Sequence, residues 1–317
     1  MKAYMARRLI QMVPVLLLAS LAMFLMVYFL PGDPVANLLG EEAIRVTPEQ
    51  IADFRQRYGL DKPMIVQYLV WVKNALQGDL GRSFRTREPV ITSIAARFPV
   101  TLELALFSTL IAILMGVPAG IVSAIKRGSV MDMIVTTFSV GWVALPNFWF
   151  AIMLILVFAL WLGWLPVAGY VPLAQDPLAN LKAMLLPSFA LGSHYAAVLA
   201  RQTRSAMLEV LQEDYVRTAR AKGLRERRVI LIHALRNALI PIVTLLGLHM
   251  GRVMGGTVII ETIFAIPGMG SFVVASIHGR DYMAAQGAIL VLVLVVQISN
   301  LFADVMYAYV DPRIRYG

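Results

Sequence analysis

The sequence predicts an all-α polytopic membrane protein with six transmembrane helices, a large extracytoplasmic loop between helices 1 and 2, and a cytoplasmic hairpin between helices 4 and 5. Three observations lead there. Hydrophobic residues make up 59% of the 317-residue chain and charged residues 15%, far from the balance of a soluble domain. The apolar residues gather into runs near the ~20 residues that cross a bilayer as helix. The short alternating segments of an outer-membrane barrel are missing from the sequence.

The first apolar run is Leu9 to Leu30, preceded by Lys2, Arg7 and Arg8. It exceeds the ~7–15-residue core of a secretory signal peptide, so it is expected to remain as helix 1 with its N-terminus in the cytoplasm. Residues 31–98 are the longest polar stretch, with nine basic and eight acidic residues. Loops longer than about 60 residues carry little orientation signal, so parity with helix 1 puts this one outside. Within it, Tyr58-Gly59-Leu60 reads as a helix stop, and Ile65, Tyr68, Leu69 and Val72 fall at helical spacing. "PGDP" at 31–34 reads as a turn ending helix 1, with Asp33 as a local cap.

Helix 2 is expected over Val100–Ile125, followed by the inside loop Lys126-Arg127. The run Met131–Trp164 has 34 residues with Pro146 near its middle. Read as two spans, it would put the basic residues after 200 outside, against the positive-inside rule; one long or kinked span puts them inside. Trp161, Trp164 and Tyr170 mark the outer interface, where amphipathic aromatics collect. A loop over 165–182, rich in proline, leads to helix 4 at Ala183–Ala200. Helix 5 is expected over Asn237–Ile260 and helix 6 over Met283–Ala308, leaving both termini cytoplasmic. The domains are thus residues 1–30 (N-terminus and helix 1), 31–98 (extracytoplasmic loop) and 99–317 (transmembrane domain with the cytoplasmic segment 201–236).

That segment holds nine Lys/Arg. Leu208, Leu211, Tyr215 and Ala219 share one helix face. Arg220 and Lys222 sit where cations suit the negative end of the helix dipole, and Gly223 supplies a left-handed stop. A second pattern, Val229, Ile232, Leu235 and Leu239, runs into helix 5. Positive charge alone would serve to fix topology and meet anionic lipid. A structured hairpin of some thirty residues, continuous with a membrane helix, suits a lever for a cytoplasmic partner. The net charge of +9 has this cytoplasmic origin, and no aromatic-basic platform points to nucleic acid.

"EDYVRTARAKGL" at 213–224, with "HALRNALIPIV" at 233–243, resembles the cytoplasmic loop motif of ABC importer permeases, specifically the dipeptide/oligopeptide permease family. "ARRL" near the N-terminus, "PGDP", "YGLDKP" at 58–63, "GDLGRS" at 78–83, "ETIFAIPGMG" at 261–270, "RDYMAAQG" at 280–287 and "DPRIR" at 311–315 extend the resemblance over nearly the whole chain. It implies the first permease of a pair in the bacterial inner membrane. The partners it implies are a homologous second permease, two ABC ATPases and an extracytoplasmic solute-binding protein. The cargo would be di- or oligopeptides, with nickel (as a chelate), glutathione or another small solute as alternatives within the branch. It makes Glu213, Asp214, Arg217, Thr218, Ala219, Arg220, Ala221, Lys222, Gly223, Leu224 and Arg225 the ATPase-coupling residues. The broad family has Glu-Ala-Ala where this chain has Arg217-Thr218-Ala219. A glutamate–arginine pair with the ATPase therefore does not carry over to 217; Glu213 or Asp214 is left to serve, or Arg217 meets an acid on the ATPase.

The chain contains no G-x-x-x-x-G-K-[ST], the cradle that holds nucleotide phosphates, so ATP and Mg are expected on partner subunits and no cofactor on this one. It lacks H-E-x-x-H and G-x-S-x-G, so no catalytic residue is assigned, and without cysteine or clustered histidines no metal site is either. His194, His233, His249 and His278 are scattered. Ionisable residues inside spans are candidate functional sites: Arg252, deep in helix 5, is the first choice for the substrate pathway, with His249 and Glu103 beside it. Asp304 lies near the inner end of helix 6. Arg252 with His249 would suit a peptide carboxylate. In "AIPGMG", Pro267 halts a helix while Gly268 and Gly270 leave the backbone pliable. A stand-alone secondary carrier or channel is the rival from another class, and would transport without an ATPase.

Overall fold

A computed structural model of the chain describes residues 2–28 and 61–310. Helix α1 (Lys2–Tyr28) takes in the first apolar run together with the basic residues before it. Helix α2 (Met64–Leu76) is the amphipathic patch, opening directly after Pro63. Helix α3 (Val90–Ile125) starts at Val90 rather than at Val100 and runs through Pro99. Its first turns are amphipathic, with Val90 and Ile94 buried, so hydropathy alone does not reveal them.

The run 131–164 forms α4 (Val130–Ala144) and α5 (Asn147–Leu154), the latter continued by a π-helical turn Ile155–Trp161. The break falls at Pro146 as expected, and the two arms meet at 102°, the geometry of a broken span or a re-entrant loop. Leu145 is extended, with ψ of 131°, because a proline ring disfavours the α conformation at the residue before it; Pro146 is extended as well, with ψ of 129°. Helix α6 (Pro177–Val210) outruns the expected Ala183–Ala200 at both ends. Asp176 caps it by accepting from the Leu178 and Ala179 N–H groups, with Pro177 in the first position.

The helix expected through Leu208 and Ala219 is interrupted at 211–213, where α6 stops and α7 (Asp214–Ala221) starts afresh. The inward face of α7 is consequently Val216 and Ala219, while Tyr215 is exposed. A turn Glu226–Arg228 and a π-helical segment Val229–Ala234 lead into α8 (Leu235–Gly256). A π turn winds more residues per turn than an α turn, and the buried residues are Val229, Ile230, Ala234 and Ala238 instead of the expected 229, 232, 235 and 239. Helix 5 ends at Gly256 rather than Ile260; after Thr257 come α9 (Val258–Ile263), α10 (Met269–His278) and α11 (Tyr282–Val310). Among the described residues five helices are long and apolar enough to cross a membrane, or six if the bent pair is one span. The turns expected at 31–34 (with Asp33) and 58–60, and the motif at 311–315, lie outside the described residues.

The chain divides into two compact units. One holds residues 101–266 with the described parts of 1–5 and 296–317. Its central helix is α6, nearly half of whose residues are buried. A Cβ on Gly116 of α3 would lie 2.6 Å from the Ala196 carbonyl oxygen, and one on Gly120 2.5 Å from that of Ala200. The two backbones therefore touch, as small residues four apart allow in membrane helices. Along this contact lies a cluster of Ala112, Tyr195, Ala196, Leu199 and Ile242, then one of Ala124, Met207, Ile230, Ala234 and Ala238, then Val216, Ala219 and Val229. Packing thus continues from the spanning helices to the hairpin.

The other unit holds the described parts of residues 6–100 and 267–295. Leu80, Val90, Ile94, Met269, Ala284 and Ala288 form its core. Asp281 caps α11: its carboxylate accepts from Ser83 Oγ, from the Phe84 N–H at 3.2 Å and from the Ala284 N–H at 3.3 Å. The motifs "GDLGRS" and "RDYMAAQG", nearly two hundred residues apart, meet through this one buried carboxylate.

Candidate coupling hairpin and buried polar clusters

The hairpin is built on its glycine. Gly223 has φ of +73°, a region costly to residues with a Cβ. Its N–H donates to the Arg220 carbonyl at 2.9 Å, and the Leu224 N–H donates to that of Ala219 at 3.4 Å. These paired bonds with an apolar contact beneath them are the Schellman closure of a helix. Across the turn, the Arg220 guanidinium grips the Glu226 carboxylate, Nη2 to Oε1 at 2.7 Å and Nε at 3.2 Å. At the other end Asp214 sits in the first turn of α7, near the positive end of its dipole. Arg217 reaches Asp214 only at 3.4 Å, with both side chains largely in solvent, a weak pair.

Of the residues assigned to coupling, Glu213, Asp214, Arg217, Thr218, Arg220, Ala221, Lys222, Gly223 and Arg225 are exposed. Ala219 is buried and Leu224 half-buried, packed with Val216 and Val229 beneath the hairpin. These two hold the loop from below and do not face outward. Tyr215 accepts a hydrogen bond from Asn237 Nδ2 at 2.7 Å, tying α7 to the first turn of α8. The hairpin is therefore packed on the π-helical segment and joined to α8 by chain continuity and by this bond.

Two of the pathway candidates can be placed. His249 is buried, its ring stacked on Tyr195 with centroids 3.3 Å apart and planes within 4°; Tyr195 donates to the Leu245 carbonyl at 2.6 Å. His249 thus belongs to the joint between α6 and α8. Glu103 accepts from the Tyr170 hydroxyl at 2.8 Å through Oε2, while its buried Oε1 has no protein partner. Burial and this carboxylate push the Tyr170 phenol up to about 12. Arg252 stands on α8, and its side chain lies outside the described residues. Among the described residues, no three His, Asp or Glu gather as a metal site would require.

Besides Asp281, two buried carboxylates escaped the sequence reading. Asp132 takes a two-pronged grip from Arg204, Nε to Oδ1 at 2.7 Å and Nη2 to Oδ2 at 2.9 Å, and also accepts from Ser123 Oγ and the Gly128 N–H. Arg204, counted among the cytoplasmic cations, is therefore turned inward. Ser129 caps α4 by accepting from the Asp132 N–H, and the Ser-x-x-Asp spacing before an apolar run was a legible signal. Glu261 is fully buried and accepts from Thr101 Oγ1 and Thr257 Oγ1, each at 2.8 Å. It opens the motif "ETIFAIPGMG", which was read for its proline and glycines instead.

Comparison with known proteins covers the chain end to end. Residues 116–316 match the model described as "Binding-protein-dependent transport system inner membrane component", and residues 1–105 match the model of that component's N-terminal region. The di/tripeptide transport system permease protein of Pseudomonas aeruginosa is 43% identical over 100% of this chain and 99% of its own. The glutathione transport system permease protein of Escherichia coli is 42% identical over 99% of both chains. The oligopeptide transport system permease protein of Bacillus subtilis is 41% identical over the full length of both. Among solved structures, a native crystal form of inward-facing conformations of the MetNI methionine ABC transporter is similar, with a TM-score of 0.57 and 17% identity over 69% of this chain and 96% of that one. That last likeness is one of fold.

Proposed function

The chain belongs to the family of binding-protein-dependent transport system inner membrane components and is the permease subunit of an ABC importer; from that premise we propose that it passes di- and oligopeptides into the bacterial cytoplasm. In this reading residues 201–236 face the cytoplasm and both termini lie there. The exposed rim of Glu213, Asp214, Arg217, Lys222 and Arg225 docks in a groove of an ATPase subunit. ATP and Mg are held by those subunits, a second homologous permease completes the pathway, and an extracytoplasmic binding protein delivers the cargo.

The observation that carries the reading is the hairpin itself: an exposed charged rim on an apolar underside that packs on Val229, at the start of the π-helical segment leading into α8. A push on α7 reaches α8 through Val216, Val229 and the Tyr215–Asn237 bond, because close-packed side chains transmit displacement instead of absorbing it. Peptide cargo is supported by the relatives named for di/tripeptides and oligopeptides. The relative named for glutathione, itself a tripeptide, makes that solute the second reading.

The test is ATP-dependent uptake of labelled dipeptide, oligopeptide and glutathione by the coexpressed transporter, together with copurification of the ATPases. Arg217→Glu and Gly223→Pro are expected to abolish both coupling and copurification while the permease stays in the membrane. Unchanged uptake and copurification in both variants would remove the docking role. Transport by the chain without any ATPase would instead mark a secondary carrier.

A further inference from the structure

Helix α2 carries an apolar stripe for which an importer has no evident use. At about 100° of turn per residue, Ile65, Leu69, Val72 and Leu76 fall within about 60° of arc. Ile65, Leu69 and Leu76 are 68%, 59% and 84% exposed. One flank of the helix is committed. Trp71 is buried, and Ala75 packs on the cluster around Leu80 and Val90. The polar Gln67 and Asn74 stand opposite the stripe with the exposed Val70 beside them, and Lys73 is the helix's one charged residue.

Tyr68 fixes where this stripe lies. Its hydroxyl shares a hydrogen bond with Ser20 Oγ at 2.8 Å, and its ring meets that of Phe24 edge-on with centroids 5.5 Å apart. Ser20 and Phe24 belong to the apolar run Met5–Leu25 of α1, long enough to cross the bilayer. That run turns Val13, Leu17, Leu18 and Leu21 outward, as a helix surrounded by lipid does. Tyr68 thus tethers α2 to the last turns of that apolar run.

We propose that α2 is an interfacial helix lying in the bilayer at the C-terminal end of α1, with Ile65, Leu69, Val72 and Leu76 among the acyl chains. Stripe, polar back and attachment to a lipid-facing span are the features of a helix that lies in the membrane plane. A protein partner would find one charge on this helix to read. Which leaflet is involved rests on the proposed extracytoplasmic placement of the first loop; the contact with lipid does not.

The sequence holds no cysteine, so single cysteines report without background. Ile65→Cys and Leu69→Cys are labelled with bimane in the full chain, purified with its accompanying subunits and placed in nanodiscs containing brominated phosphatidylcholine. Leu18→Cys on α1 sets the lipid reference and Glu88→Cys the water reference. Quenching at 65 and 69 is expected within about twofold of that at 18 and at least about threefold above that at 88, as for a helix seated 5–10 Å into the interface. Should either variant assemble poorly, Leu76→Cys replaces it. Strong quenching by aqueous iodide with none by brominated lipid overturns the proposal. Protection that appears only when the soluble receptor is added also overturns it, and makes the stripe a protein dock. Loss of ATPase copurification would sink the importer reading yet leave this quenching pattern readable.

Discussion

Replacing Arg204 with methionine tests the joint between α4 and α6. Asp132 has a side chain only 7% exposed and accepts two bonds from the guanidinium, which is itself 28% exposed. Breaking a fully buried pair by removing one partner costs about 3–5 kcal/mol, since a charge is left behind without compensation. Here Ser123 Oγ and the Gly128 N–H still hold the carboxylate, and water reaches the arginine. The expected loss is therefore about 2–3 kcal/mol, each remaining charge-assisted bond offsetting part of the burial. For a chain this size that lowers the melting temperature by roughly 3–5 °C. The assay is thermal unfolding of the purified transporter in detergent, with Asp132→Asn, Arg204→Met and the double variant forming a cycle. A coupling energy of about 2 kcal/mol is expected, as for residues in direct contact. Exchanging the two charges, Asp132→Arg with Arg204→Asp, is expected not to rescue, because position 132 lies in the first turn of α4 and faces the Gly128 N–H donor. A coupling energy under about 0.5 kcal/mol, the spread of ordinary surface substitutions, would refute the reasoning.

Other outcomes follow from single contacts. Gly223→Ala meets no atom but forces a Cβ at φ +73°, so it is expected to cost about 1–2 kcal/mol of hairpin stability, read as lower ATPase affinity with the membrane helices intact. Gly120→Ala places a Cβ 2.5 Å from the Ala200 carbonyl and should cost about 1–3 kcal/mol by overpacking, measured as a lower melting temperature. The Tyr170 phenol is pushed up to about 12, so the folded state holds its proton longer than the unfolded chain, where the value is about 10. Its contribution is complete below pH ~10 and fades as pH rises through ~12. Tyr170→Phe should flatten that alkaline loss in a pH-dependent denaturation series.

Much of this architecture was legible because bilayer length and positive charge act on whole segments. The apolar runs located five long helices, and Pro146 located a break. The size of the bend was not legible: a proline restricts the residue before it, but 102° is set by what each arm packs against. Gly223 could be read because left-handed backbone has few occupants. The faces of α7 and α8 could not, since an interruption at 211–213 and a π turn at 229–234 each shift the periodicity by a fraction of a turn. Charge was misread where it is turned inward. Arg204 looked like one more cytoplasmic cation until Asp132, more than seventy residues earlier, was seen to claim it. The local contacts of the pathway candidates were not legible either: His249 stacks on Tyr195, and Glu103 accepts from Tyr170.

The docking of the Gly223 hairpin on an ATPase is tested most directly by a single cysteine in place of Lys222, an exposed position in a chain that has no other cysteine. In whole cells it should resist a membrane-impermeant maleimide and, with a short bifunctional reagent, join the permease to an ATPase subunit with a yield that changes when ATP is trapped. Rapid labelling from outside intact cells, with no joined product, would contradict the account.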